Sequence, residues 1–236
     1  MKKTLTLSII INILFAILFG YVIYKKGGVD YLKMKFKAQT QTVNQQDYGV
    51  YYYAKTSIFE IMPNDTSEII FLGNSITDYC DWYELFGNAN IKNRGIGGDI
   101  INGVIDRIEE IVESNPQKIF LMIGINDLGR GRTVEQILID YDRLISLIKQ
   151  KSPKTELYIQ SVLPTDNRKT LQNVDIISIN AGLKSLTEKH LLTYVNLFDL
   201  LKTDENTLDK AYTFDGLHVN GQGYVIWKKA IEKYVN

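Results

Sequence analysis

The chain has 236 residues, and its 27 basic and 27 acidic side chains balance, leaving no global field to draw in nucleic acid or any other polyanion. A single cysteine, Cys80, excludes an internal disulfide. The length left after an N-terminal segment suits one α/β domain with a full hydrophobic core.

The first element is apolar. Thr4 to Tyr24, "TLTLSIIINILFAILFGYVIY", carries no charge and is bracketed by Lys2-Lys3 and Lys25-Lys26. At about 1.5 Å per residue it is long enough to cross a hydrocarbon core of about 30 Å. It exceeds the usual core of a secretory signal, about 7 to 15 residues, and no small-x-small cleavage pattern follows it. Residues 1–27 are therefore read as a membrane anchor, with a cleaved signal peptide as the competing reading. Lys25, Lys26, Lys33, Lys35 and Lys37 outnumber Lys2, Lys3 and the amino terminus, a count that would hold the domain in the cytoplasm. Residues 28–50, rich in Gln and Lys, read as a polar stalk. Residues 51–236 read as the domain.

"YYYAKTSIFEIM" begins the domain as a short helix, ended by Pro63 and Asn64-Asp65. Strands are expected near Glu68 to Gly73, Asn90 to Asn93, Lys118 to Ile123, Glu156 to Ser161 and Thr193 to Leu197. Helices are expected near Ile100 to Glu113, Val134 to Lys151, Val174 to Lys189 and Gly221 to Tyr234. Ile101, Val104, Ile105, Ile108, Ile111 and Val112 share one face of the first helix. Val134, Ile137, Leu138, Tyr141, Leu144, Ile145 and Ile148 share one face of the second. Thr133 with Gln136 makes a capping box before it. The alternation predicts a doubly wound parallel sheet with helices on both faces.

In such a sheet ligands bind beyond the carboxyl ends of the strands. The segments there are Gly73-Asn74-Ser75, "RGIGGDI" (Arg94 to Ile100), "GINDLGRG" (Gly124 to Gly131) and "DGLHVN" (Asp215 to Asn220). Each has a plain structural reading: Ser75 as a turn cap, the glycines as turn formers, Asp99 as a helix cap, Asn126-Asp127 as a turn, His218 as a structural histidine. Together they supply the parts of acyl transfer. A serine hydroxyl becomes a nucleophile when a neutral imidazole takes its proton and a carboxylate fixes that ring's tautomer. Ser75, His218 and Asp215, three residues before the histidine, are the candidates. The oxyanion needs fixed donors, here Ser75 N–H, Gly98 N–H and the Asn126 side chain. Cys80, next to this site, is read as a small buried hydrophobe rather than a rival nucleophile.

With those residues in view, the chain resembles the SGNH hydrolases, also called GDSL esterases and lipases, from about Glu68 to Tyr224 and in the family's block order. "FLGNSIT" is similar to the first block, with Ser75 as nucleophile. "GIGGD" resembles the second, with Gly98 as a backbone donor, and "GINDL" the third, with Asn126 as an amide donor. "DGLHVN" resembles the Asp-x-x-His block of Asp215 and His218. The departure is Asn74, where the family motif usually carries Asp; both keep an acceptor oxygen. The resemblance implies a flavodoxin-like sheet and an acyl-enzyme mechanism with no metal or organic cofactor. It is strongest to the compact acetylhydrolase branch, which implies a small acyl group such as acetyl on a carbohydrate. Resemblance to exported glycan esterases places the domain on the outer side, against the lysine count. Rival readings are a lysophospholipase, a catalytically silent glycan-binding domain, and a metal phosphoesterase in which Asp127, Asp215 and His218 would hold a cation. His190, the other histidine, is read as an ordinary, partly exposed residue at a helix end.

Overall fold

The computed structural model describes residues 48–235, together with residues 12, 21, 24 and 25. Apart from those four positions, the expected anchor lies outside the described residues, as does the stalk up to residue 47. Among the described residues no helix is long and apolar enough to cross a membrane.

Helix α1 (Val50–Phe59) leads into strand β1 (Ile69–Gly73), then helical turns α2 (Ser75–Asp78) and α3 (Trp82–Phe86) and strand β2 (Ile91–Gly95). Helices α4 (Ile101–Asp106) and α5 (Ile108–Val112) precede β3 (Lys118–Met122), and α6 (Ile125–Gly129) and α7 (Val134–Lys151) precede β4 (Glu156–Gln160). Helix α8 (Asn173–His190), β5 (Thr193–Val195), α9 (Phe198–Leu201) and α10 (Gly221–Val235) complete the chain. The strands form one sheet in the order β2-β1-β3-β4-β5, every pair parallel. Every residue of β1 and β3 is buried, as the unbroken runs Ile-Ile-Phe-Leu and Ile-Phe-Leu-Met require of strands covered on both faces.

The chain leaves β1 for β2 on one side and returns to β3 on the other, so the switch point of the sheet lies at the end of β1. Helices α4, α5 and α8 pack around α7. In α7, Ile137, Tyr141, Leu144, Ile145 and Ile148 are buried. The Thr133–Gln136 capping box forms at its start, a device that contributes about 1 kcal/mol. Trp82 of α3 meets Trp227 of α10 with ring centroids 4.9 Å apart, and stacks on Phe71 of β1 at 4.3 Å.

The helix expected over Ile100 to Glu113 is broken at Arg107, where φ is −108° and ψ 18°. The Arg107 guanidinium is buried and bonded by Asp99 Oδ2, Glu110 Oε1 and Arg94 O at 2.8–3.1 Å. A buried charge left unpaired costs more than a helix break, and periodicity alone carries no sign of it. Residues 48–50, read from sequence as stalk, belong with the domain: Tyr48 hydroxyl donates to Asp106 (2.7 Å), its ring lies 4.4 Å from that of Tyr52, and Val50 opens α1.

Candidate active site

Ser75 is the first residue of α2, not part of an open loop. Asn74 explains why the chain turns helical there: its side-chain oxygen accepts the Ile76 N–H at 3.0 Å, an N-cap that asparagine and aspartate perform equally. Tyr79 N–H closes the turn on Ser75 O, but a helical turn this short leaves its later carbonyls without backbone partners, and side chains supply the donors. Tyr224 hydroxyl donates to Ile76 O (2.7 Å), Trp82 Nε1 to Thr77 O (2.8 Å), and Asn93 Nδ2 to the carbonyls of Thr77, Asp78 and Cys80.

Ser75 Oγ lies 2.9 Å from His218 Nε2, and His218 Nδ1 lies 2.8 Å from Asp215 Oδ2. The Asp-x-x-His spacing works because Asp215 Oδ1 accepts the N–H groups of Leu217 (2.9 Å) and His218 (2.8 Å), which curls the turn and leaves Oδ2 for the ring. Thr213 Oγ1 ties the same turn, donating to His218 O and accepting from Gly216 N–H. Gly216 has φ +76°, and a Cβ there would fall 2.2 Å from Asp166 O. Arg168 Nη2 donates to Asp215 O (2.6 Å) and lies 3.1 Å from Asp215 Oδ2.

Burial works against the Asp215 anion. The hydrogen bonds from the His218 ring and from the amides of His218 and Leu217 outweigh it, and hold the carboxyl well below the usual range. An ionised carboxylate only accepts, so Nδ1 carries a proton. In the neutral ring Nε2 is then the acceptor facing the serine hydroxyl. The exposed Tyr79 ring stacks on the imidazole at 4.8 Å.

Strands β2 and β3 flank β1, so the loops after them share its rim. Gly98, in the loop after β2, has φ +79°, a conformation suited to glycine, and no atom within 4 Å of where a Cβ would sit. Asn126, in α6 after β3, donates Nδ2 to Asp99 O at 2.8 Å, which ties the two loops together. Arg130 Nη2 donates to Gly98 O at 3.0 Å.

Asp99 is not the side-chain cap of the helix it precedes; its Oδ1 takes the Ile100 N–H and its Oδ2 the Arg107 guanidinium. The amide that opens α4, Ile101 N–H, goes instead to the buried Asp127 carboxylate, whose burial pushes it up to about 7. Asp127 therefore faces α4 rather than joining Asp215 and His218, and among the described residues no group of three acidic, histidine or cysteine side chains is arranged to hold a metal ion. His190 pairs with Asp142 between α8 and α7, Nε2 to Oδ1 at 2.6 Å. Burial raises the Cys80 thiol to about 12, which leaves it inert. Tyr79, Arg168, Tyr224 and Asn93 were not singled out from sequence. Arg168 stands beside Lys169 in a polar stretch, and nothing in its local pattern sets it apart.

Residues 71–226 match the model of the GDSL-like Lipase/Acylhydrolase family. Among curated proteins, N-acylneuraminate cytidylyltransferase of Escherichia coli O18:K1:H7 is 26% identical over 177 residues, covering 73% of this chain and 41% of that protein. The chain thus spans less than half the length of the first curated relatives it matches. Platelet-activating factor acetylhydrolase IB subunit alpha2 of Rattus norvegicus is 26% identical over 166 residues, covering 66% of this chain and 71% of that protein. A solved structure from Streptococcus pneumonia, described provisionally as a platelet activating factor, superposes with a TM-score of 0.71 at 28% identity, over 79% of this chain and 91% of that one.

Proposed function

Since the chain belongs to the GDSL-like lipase/acylhydrolase family, we propose that it hydrolyses carboxylic esters through an acyl-enzyme on Ser75, with His218 as base and Asp215 as its orienting partner. The observation that carries this reading is the unbroken series Ser75 Oγ, His218 Nε2, His218 Nδ1, Asp215 Oδ2, with both separations under 3 Å. Oγ attacks the ester carbonyl carbon as Nε2 takes its proton, and the carbonyl oxygen becomes an anion received by Ser75 N–H, Gly98 N–H and Asn126 Nδ2. Collapse expels the alcohol, which leaves with the proton from Nε2. Water, deprotonated by the same nitrogen, then releases the acid and restores the serine. A fluorophosphonate probe tests the reading directly: adduct mass on the peptide holding Ser75 is expected, and labelling elsewhere or not at all sinks it.

Asn126→Ala is expected to lower kcat by on the order of 10²–10³ with a smaller change in KM, the cost of one oxyanion donor. A mere turn role for Asn126 predicts a lower melting temperature with kcat near normal.

The substrate we infer is a short acyl ester, acetyl first, on a carbohydrate alcohol. The name of one relative, an acetylhydrolase, supports the acetyl part, and that of another, an N-acylneuraminate cytidylyltransferase, the carbohydrate part. So does a cleft of about 650 Å³ beside Asp215, lined by Asp166, Asn167, Arg168, Lys210 and the exposed Phe214 ring. Such a polar lining with one ring suits a hydroxylated leaving group better than an alkyl chain.

Thr4 to Tyr24 we propose as an anchor that holds the domain on the outer side of a membrane. The uncharged length of the segment supports the span; the outer side rests on the resemblance to exported glycan esterases, against the count of flanking lysines. Full-length protein is expected to stay with membranes through a carbonate wash, since hydrophobic insertion is not screened by ions. Deleting residues 1–45 is expected to give a soluble domain with unchanged kcat. Protease added to intact cells is expected to digest the domain, and full protection until lysis would overturn the outward orientation.

A further inference from the structure

Helix α1 lies wholly outside the residues that match the family, yet it reaches the loop that carries Gly98. Tyr52 and Phe59 of α1 enclose Ile96 in a small buried cluster separate from the main core. Tyr52 hydroxyl donates to Gly103 O at 2.7 Å. The Tyr51 ring comes within 3.3 Å of where a Gly97 Cβ would stand.

A single carboxylate joins these parts. Asp78, the last residue of the α2 turn that begins with Ser75, is nearly buried at 5% side-chain exposure. Its Oδ1 accepts Lys55 Nζ at 2.7 Å, and its Oδ2 accepts both Tyr51 hydroxyl at 2.6 Å and Gly97 N–H at 3.1 Å. The bond to Asp78 pushes the Tyr51 hydroxyl up to about 12, so it remains a donor across any ordinary assay range. Gly97 N–H is the amide immediately before Gly98 N–H. Gly98 itself sits at positive φ with open space around it, so nothing packed against a side chain fixes its orientation. Its direction depends on what holds the peptides on either side: after it, Arg130 Nη2 donates to Gly98 O and Asp99 N–H to Ile96 O; before it, Asp78 holds Gly97.

We propose that Lys55 and Tyr51 of α1, acting through Asp78, are positioning residues that aim the Gly98 N–H at the developing oxyanion. The inference rests on the ester-hydrolase reading. None of the three touches the reacting atoms; they set the angle of a donor that does. The physical warrant is that an oxyanion donor works by being preorganised, so a donor free to swing loses much of its worth without being removed.

The test compares steady-state hydrolysis of p-nitrophenyl acetate by the wild-type chain and by Asp78→Ala, Lys55→Met, Lys55→Arg and Tyr51→Phe. Complete loss of one donor costs on the order of 10²–10³, so its misorientation in Asp78→Ala should lower kcat by about 10- to 100-fold, with KM moved by less than about threefold. Lys55→Met and Tyr51→Phe should each lower kcat by about 3- to 10-fold, and Lys55→Arg should restore most of it, because a guanidinium keeps the charge-assisted bond to Asp78. If Asp78→Ala fails to fold, the Lys55 and Tyr51 variants decide the matter. A lower melting temperature with kcat per folded molecule within about twofold of wild type in all of them would overturn the positioning role and leave the hydrolase reading standing. No turnover by the folded wild-type chain on any ester would remove both.

Discussion

Ser75→Ala is expected to reduce ester turnover by about 10⁵- to 10⁶-fold while leaving the fold intact, the scale seen when a serine nucleophile that works as a unit with its base is removed. The residual rate would come from the oxyanion donors and binding alone. The fold should survive because what shapes the turn is not the serine. Asn74 caps it, Tyr224, Trp82 and Asn93 hold its carbonyls, and among the described residues Ser75 Oγ bonds His218 Nε2 alone. Alanine at the first position of a helix is well tolerated. Turnover of p-nitrophenyl acetate and a thermal melt on the same preparation check both halves. A folded variant within tenfold of the wild-type rate would end the nucleophile assignment.

Asp215→Asn comes next, at an expected loss on the order of 10⁴ in kcat. The amide can turn an N–H toward His218 Nδ1, which makes Nδ1 the acceptor and moves the ring proton to Nε2, the wrong side for a base. The wild-type pH profile carries the complementary sign. The Asp215 carboxyl is held well below the usual carboxylate range, so the stability its ionised form contributes is present above its unfolded pKa and is lost only as pH falls through the still lower folded value. The turn therefore stays intact across mildly acid pH. A fall in kcat/KM between about pH 8 and 5 would then report protonation of an imidazole base, in the range where histidines titrate, rather than unfolding. A flat profile over that range, with folding confirmed, would count against His218 as base.

Legibility of the chain follows how local each signal is. Runs such as Ile69 to Leu72 and Ile119 to Met122 announce strands because both faces are covered. The Thr133–Gln136 box announces α7 because both partners lie three residues apart. The candidate site residues Ser75, Gly98, Asn126, Asp215 and His218 can be picked out because four loops end at one rim of a doubly wound sheet. What stayed hidden depends on distant pairing. The break at Arg107 follows from carboxylates at positions 99 and 110 and a carbonyl at 94. The placement of Asp127 at the start of α4 crosses 26 residues. Residues 48–50 read as stalk because Tyr48 finds Asp106 only in the folded chain. The short turns α2, α3 and α6 are below the length at which periodicity can speak.

The bond from Tyr224 to Ile76 O spans 148 positions, and the pairing of Ser75 with His218 spans 143. A ribosome adding about 5–20 residues per second completes the sheet's strands well before it supplies α10. Until residues 218–224 are released, the Ser75 turn lacks one of its carbonyl partners and Ser75 lacks its proposed base. The growing chain would thus hold its sheet before it holds the proposed catalytic series, and activity would switch on only once residues 215–235 have emerged. Contacts of such long sequence separation also make the final step slow relative to the helices that precede it, so a pulse-labelled chain should acquire probe reactivity after it acquires protease resistance.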